Sequence, residues 1–257
     1  MTHRRSILIA APLLLLMAVT SLAGLERTDV LTLRGRRQTL HLYGPARGAP
    51  VILSSGDGGW IHLGPQVAQM LASRGFFVVG FDSKAYLESF TSATAALMQG
   101  DVAADFRTLI GYASGATGQQ PLLVGISEGA GLSVLAAANP SRPALAGVIA
   151  IGVGDRNELG WRWKDDVIYL THGVPSEPTF SVQALADRVA PIPLAMIAST
   201  HDEYVPEGEV DRIMAAARPP KRLWMIDAAD HRFSDQQEQL ARCLADAIAW
   251  VRANGTR

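Results

Sequence analysis

Cysteine is almost absent: Cys243 is the only one in 257 residues. No internal disulfide can form, so a folded chain must draw its stability from an apolar core. Cys243 falls among Leu240, Leu244, Ala247, Ile248 and Val251, a spacing that lines one helix face and predicts packing rather than nucleophilic chemistry. There is no cysteine pair and no two histidines stand at ligand spacing, so neither a metal site nor another cofactor is expected. Basic runs beyond short pairs such as Arg36-Arg37 are missing and the formal charge is −1, which predicts no nucleic-acid surface. Repeats, low-complexity tracts and linkers are missing too. What is present, 48% hydrophobic and 18% charged residues, is the composition of a globular chain and not of a disordered one.

The one long apolar run stands at the start. His3, Arg4 and Arg5 precede Ile7 to Val19, which is uncharged and holds four consecutive leucines, Leu13 to Leu16. Ser21-Leu22-Ala23 offers small residues where a signal peptidase reads. The expectation is a signal peptide over 1–23, export to the periplasm, and a single domain over 24–257. An uncleaved anchor is the alternative, because the run approaches the roughly 17 residues of a short membrane span. No later stretch does so.

Beyond the leader, apolar strands alternate with helical patterns. Val30–Leu33 and Gln38–Tyr43 read as an antiparallel pair turning at Arg34 to Arg36. Val51–Leu53, Phe76–Phe81, Pro121–Val124, Ala146–Ile151, Leu194–Ala198 and Arg222–Ile226 read as further strands. Helical patterns cover Pro65–Ser73, Thr94–Ala113, Ala130–Ala138, Glu207–Ala217 and Asp235–Ala253. That alternation predicts an α/β fold with a mainly parallel sheet covered on both faces. The rhythm breaks over Gly154–Arg188, a cap-like insertion carrying Trp161, Trp163, Tyr169 and Phe180.

The chemistry concentrates at three places. Gly125-Ile126-Ser127-Glu128-Gly129 matches G-x-S-x-G between an apolar strand and an Ala-rich helix, the setting of a nucleophile elbow. A serine hydroxyl needs a base, and His231 follows the last strand, where that base belongs in an α/β-hydrolase. The acid should stand between them after the preceding strand; Asp202 fits, with adjacent Glu203 as the alternative. An oxyanion hole would take the backbone N–H of Glu128 and a second from the loop Ser55 to Trp60, at Asp57 or Gly58. That loop lacks the lysine and hydroxyl of a nucleotide-binding loop. Trp60 either walls the pocket or packs, and Trp161 and Trp163 are candidate substrate contacts.

Three segments, Ser55 to Trp60, Val79 to Ser83 and Gly125 to Gly129, together resemble bacterial virulence proteins of the VirJ/AcvB type. Glu158 to Trp163 and Asp230 to Phe233 are similar too, and the resemblance spans roughly 50–250. The sequence departs from the family pattern at Glu128 and Arg232. The resemblance implies a periplasmic α/β-hydrolase and, for some members, hydrolysis of aminoacylated phosphatidylglycerol such as lysyl-phosphatidylglycerol. The expected partner is therefore a small-molecule or lipid head-group ester, with peripheral contact to a membrane surface. Glu158, Asp165, Asp166 and Glu177 would face a cationic group. A general carboxylesterase or dienelactone-hydrolase-like enzyme is the alternative, as is a non-catalytic secretion factor on the same fold.

Overall fold

The computed structural model describes residues 26–165 and 177–255. The expected leader, 1–23, and Asp166 of the insertion lie outside them. Eight strands form one sheet in the order β1-β2-β4-β3-β5-β6-β9-β10. At one edge β1 (Arg27–Leu33) and β2 (Arg36–Tyr43) make an antiparallel hairpin. It turns at Arg34 (φ 45°) and Gly35 (φ 82°), two left-handed residues that give the turn the twist of its strands. β2 pairs antiparallel with β4 (Phe77–Phe81). From β4 onward every pairing is parallel, through β3 (Pro50–Ser54), β5 (Leu122–Ile126), β6 (Gly147–Ile151), β9 (Leu194–Ser199) and β10 (Lys221–Ile226).

The central strands are apolar at every position but the last of β3 and β9, Ser54 and Ser199, because both their faces are buried. Successive side chains point to opposite faces, so one strand feeds two cores. In β6, Val148 and Ala150 join the core under α2 (Ser83–Phe90), α3 (Gln99–Thr117), α4 (Glu128–Ala138) and α5 (Glu209–Ala216). Ile149 and Ile151 join the core under α1 (Leu63–Ala72) and α6 (Gln237–Asn254). Cys243, on α6, is half-buried at the margin of the second core.

The elements fall close to the periodicity of the sequence, with two departures. The expected helix from Thr94 starts at Gln99, because Leu97 N–H is drawn to Leu159 O (2.8 Å) and Asp101 reaches back to Met98 N–H (2.9 Å). The short helix α2 follows Asp82, whose Oδ1 accepts Ala85 N–H at 3.0 Å. Within the insertion, β7 (Arg156–Glu158) and β8 (Thr179–Ser181) form a small antiparallel pair, followed by a 3₁₀ turn at Ala186–Arg188. Among the described residues no helix is long and apolar enough to cross a membrane.

Candidate active site

The elbow is dictated by close packing. β5 turns into α4 within one residue, Ser127, held at φ 50° and ψ −119°. That left-handed backbone is costly for a residue with a side chain and is kept only because its surroundings fix it. Ser127 N–H donates to Ile151 O at 2.8 Å, pinning the turn to β6. A Cβ on Gly125 would lie 2.3 Å from Gly129 O, and one on Gly129 would lie 2.2 Å from Ser55 O. Both glycines are therefore required by contact. Ser127 emerges half-buried into a cleft of about 400 Å³.

His231 lines the same cleft. Its Nδ1 stands 2.7 Å from Asp202 Oδ2, with both side chains largely buried. The other Asp202 oxygen accepts the N–H groups of Tyr204 (2.9 Å) and Val205 (3.0 Å), so the carboxylate cannot swing away. Of the two carboxyls left open by the sequence, Asp202 is the one at the ring. Glu203 instead accepts the backbone N–H of His231 at 2.8 Å. Tyr204 stacks edge-on against the imidazole, centroids 5.3 Å apart. A side chain at Gly152 would meet the ring at 2.9 Å, so the histidine sits directly over the end of β6. Burial disfavours its charged form, but the bond to Asp202 and the charges of Asp202, Asp57 and Glu203 outweigh that and raise its pKa above the ordinary value.

The loop Gly56–Gly59 forms the opposite wall. A Cβ on Gly56 would lie 3.3 Å from Ser127 Cβ, so this backbone approaches Ser127 closely. Asp57 and Gly58 line the cleft. Glu128 contributes the first N–H of α4, a position for which a helix supplies no acceptor. Asp57, whose side chain sequence reasoning passed over, is the one acidic residue among the described residues lining the cleft. Burial pushes its pKa up against the opposing pull of His231, nearby N–H groups and Lys84. Its apolar and glycine-rich neighbours were the available signal. His62 and Arg232 also line the cleft, the first at the N-cap of α1 and the second on the histidine loop.

The tryptophans and the insertion acids stand elsewhere. Trp60 does not wall the cleft: its ring lies flat on His41 (4.8 Å, 12°), and its Nε1 donates to Tyr43 OH at 3.4 Å. Trp161 is 2% exposed and belongs to the core, while Trp163 is 79% exposed and lines no part of the cleft. Glu158, Asp165 and Glu177 are buried rather than facing a ligand in the cleft. Glu177 pairs with Arg162, and Asp165 accepts Arg162 N–H at 2.6 Å. Apolar packing of the insertion draws them inward with the chain. Among the described residues no group of three His, Cys, Asp or Glu side chains is placed to hold a metal.

Sheet order, elbow and histidine loop define an α/β-hydrolase fold. Solved structures agree at the level of fold. The esterase domain of a Rhodothermus marinus protein is 19% identical with a TM-score of 0.61, covering 89% of this chain and 98% of that one. An esterase of Pyrococcus furiosus is 15% identical with a TM-score of 0.65, covering 90% and 92%. A membrane phospholipase A, described as a novel bacterial virulence factor, is 13% identical with a TM-score of 0.65, covering 90% and 88%. Within this fold, residues 49–147 match the family model described as bacterial virulence protein (VirJ). That segment holds the loop Gly56–Gly59 and the Ser127 elbow. No curated protein matches the chain by sequence.

Proposed function

We propose that the protein is an exported serine hydrolase that cleaves an ester through Ser127, His231 and Asp202, and that its substrate is an aminoacyl ester of a lipid head group. The observation that carries the reaction is the 2.7 Å bond from His231 Nδ1 to Asp202, with His231 and the strained Ser127 lining one cleft. Asp202 holds the proton on Nδ1 and leaves Nε2 unprotonated to take the Ser127 hydroxyl proton. As the serine oxygen adds to the carbonyl, negative charge develops on the substrate oxygen. The N–H of Glu128 and those of Asp57 or Gly58 are the donors suited to it, each worth about 3–4 kcal/mol of transition-state stabilisation. His231 then returns the proton to the leaving alcohol, and water repeats the sequence on the acyl-enzyme.

The aminoacyl part rests on Asp57. A carboxylate beside a developing oxyanion opposes catalysis unless a cation accompanies the substrate. An aminoacyl ester carries its ammonium one carbon from the carbonyl under attack, which suits Asp57 as its counter-charge. This replaces the buried insertion acids in that role. The exposed Trp163 and Ile61, the latter at the cleft, are suited to a membrane interface. Export by the leader would bring the protein to that membrane.

The test compares purified protein on lysyl-phosphatidylglycerol and on a short p-nitrophenyl ester, with fluorophosphonate labelling of Ser127. Labelling that survives in Ser127→Ala removes Ser127 as the nucleophile. Turnover of the short ester with none of the lipid leaves a general carboxylesterase. Neither labelling nor turnover leaves the non-catalytic reading.

A further inference from the structure

Glu128 follows the nucleophile directly, yet its carboxyl lines no part of the cleft and is 3% exposed. It meets Glu158 of β7, also 3% exposed. Glu158 N–H donates to Glu128 Oε1 at 2.9 Å, which sets the two buried carboxyl groups beside each other. A carboxylate has acceptors only, so two adjoining buried acids can bond to each other only when one carries a proton. Glu158 Oε2 is buried with no hydrogen-bond partner, which makes a second charge in the pair costly. One helical turn along, Asn157 packs on Gly131 so tightly that a Cβ there would lie 2.1 Å from its Oδ1. The insertion strand is thus seated on the first turn of α4 at two successive points.

We infer that Glu128 and Glu158 share one proton and act as a positioning pair, clamping the β7–β8 hairpin onto the nucleophile elbow. Neither group touches the substrate. Their effect reaches the reaction through the Glu128 N–H, whose direction depends on how the first turn of α4 is held. The remaining charges around the pair are adverse: Asp57 from the oxyanion loop acts on both, and Asp165 from the insertion acts on Glu158. Lys84 and His231 act on Asp57. Burial first, and then these charges, hold both carboxyls above the ordinary range. Because the folded form binds the proton more tightly than the unfolded chain, the pair favours folding most below the ordinary glutamate range. That contribution is lost as pH rises through the folded value.

The turnover readout rests on the hydrolase reading above, so a second readout is independent of it. Wild-type protein, Glu158→Gln and Glu158→Ala are compared for kcat and KM on a soluble ester, and for melting temperature, from the ordinary glutamate range upward in pH. In the wild type the melting temperature declines as pH rises through the value of the pair, and kcat carries the same decline superimposed on the rise set by His231. In Glu158→Gln an amide donates to the Glu128 carboxylate with no shared proton needed, so this decline shrinks. In Glu158→Ala the clamp is cut, and kcat falls about ten- to a hundredfold at every pH while KM holds within about twofold. The proposal is overturned if the melting decline of Glu158→Gln matches the wild type, or if Glu158→Ala keeps the wild-type kcat. Absent turnover with the expected melting behaviour discards the hydrolase reading and keeps the pair. Turnover with unaltered pH behaviour in the glutamine variant does the opposite.

Discussion

Asp202 grips two things at once: one oxygen stands 2.7 Å from His231 Nδ1, and the other takes the N–H groups of Tyr204 and Val205. The imidazole is therefore oriented by a carboxylate that is itself fixed to the loop behind β9. Asp202→Asn keeps the shape but lets an amide N–H face Nδ1, which selects the wrong tautomer. The expected result is a loss of about 10⁴ in kcat with little change in melting temperature. Glu203→Gln keeps an oxygen acceptor for His231 N–H and should hold kcat within about tenfold of wild type. Steady-state kinetics on one ester checks both, and a larger loss in Glu203→Gln than in Asp202→Asn would reverse the two roles.

On the proposed reading His231 is the base, which works only when neutral, so its raised pKa should set the acid limb of the rate profile. Activity should rise with pH through a value above that of an ordinary histidine, because Asp202, Asp57 and Glu203 favour the imidazolium more than burial disfavours it. Asp57→Asn removes one of those charges without touching the Asp202 bond. The acid limb of kcat/KM should then shift to lower pH. On the proposed reading, KM for an aminoacyl ester should also rise far more than KM for a neutral one. An acid limb that stays in place would mean that Asp57 does not act on His231.

Much of this was legible in the sequence, and the reason is period. Buried parallel strands read as continuous apolar runs, and the residues that follow three of them come together: Ser127 and His231 line one cleft, and Asp202 bonds to the His231 ring. Side-chain direction in irregular segments was not legible. Glu158, Asp165 and Glu177 read as acids free to meet a ligand, but the insertion folds them inward. Trp60 read equally as pocket wall or packing. The deciding fact is the space above Gly80, which only the pairing of β2 with β4 creates beside His41. The partnership of Glu128 with Glu158 spans 30 residues and has no periodic signature.

Arg34 and Asp105 carry a stability prediction. Asp105 is 2% exposed and accepts Arg34 Nε at 2.9 and 3.0 Å, Arg34 Nη2 at 2.7 Å and Tyr86 OH at 2.8 Å. This ties the edge hairpin to α3, far along the chain. Arg34→Ala strands a buried carboxylate. Breaking a fully buried pair costs about 3–5 kcal/mol, and the partial exposure of Arg34 brings the expected loss to about 2–3 kcal/mol. Urea unfolding would measure it. A loss below about 0.5 kcal/mol would show that solvent already screens Asp105.

Gly80 and Trp60 link the sheet to the loop that faces Ser127. A Cβ on Gly80 would lie 2.2 Å from the Trp60 ring, which is held from behind by His41 and by its bond to Tyr43. The same residue's backbone N–H donates to Asp82 Oδ2 at 3.2 Å, at the end of the loop that faces Ser127. Gly80→Ala must therefore move the ring, and with it the loop. Overpacking of this kind costs about 1–3 kcal/mol. Because the loop carries the proposed second oxyanion donor, kcat should fall more than KM rises. Trp60→Leu is destabilising by itself, since it empties the space above Gly80, but it leaves room for the added methyl. The double variant should therefore be more stable than the sum of the single losses allows, by about 1 kcal/mol or more. Strictly additive losses in urea unfolding would show that the methyl at position 80 is absorbed without pushing on Trp60, and the coupling between sheet and oxyanion loop would fall with it.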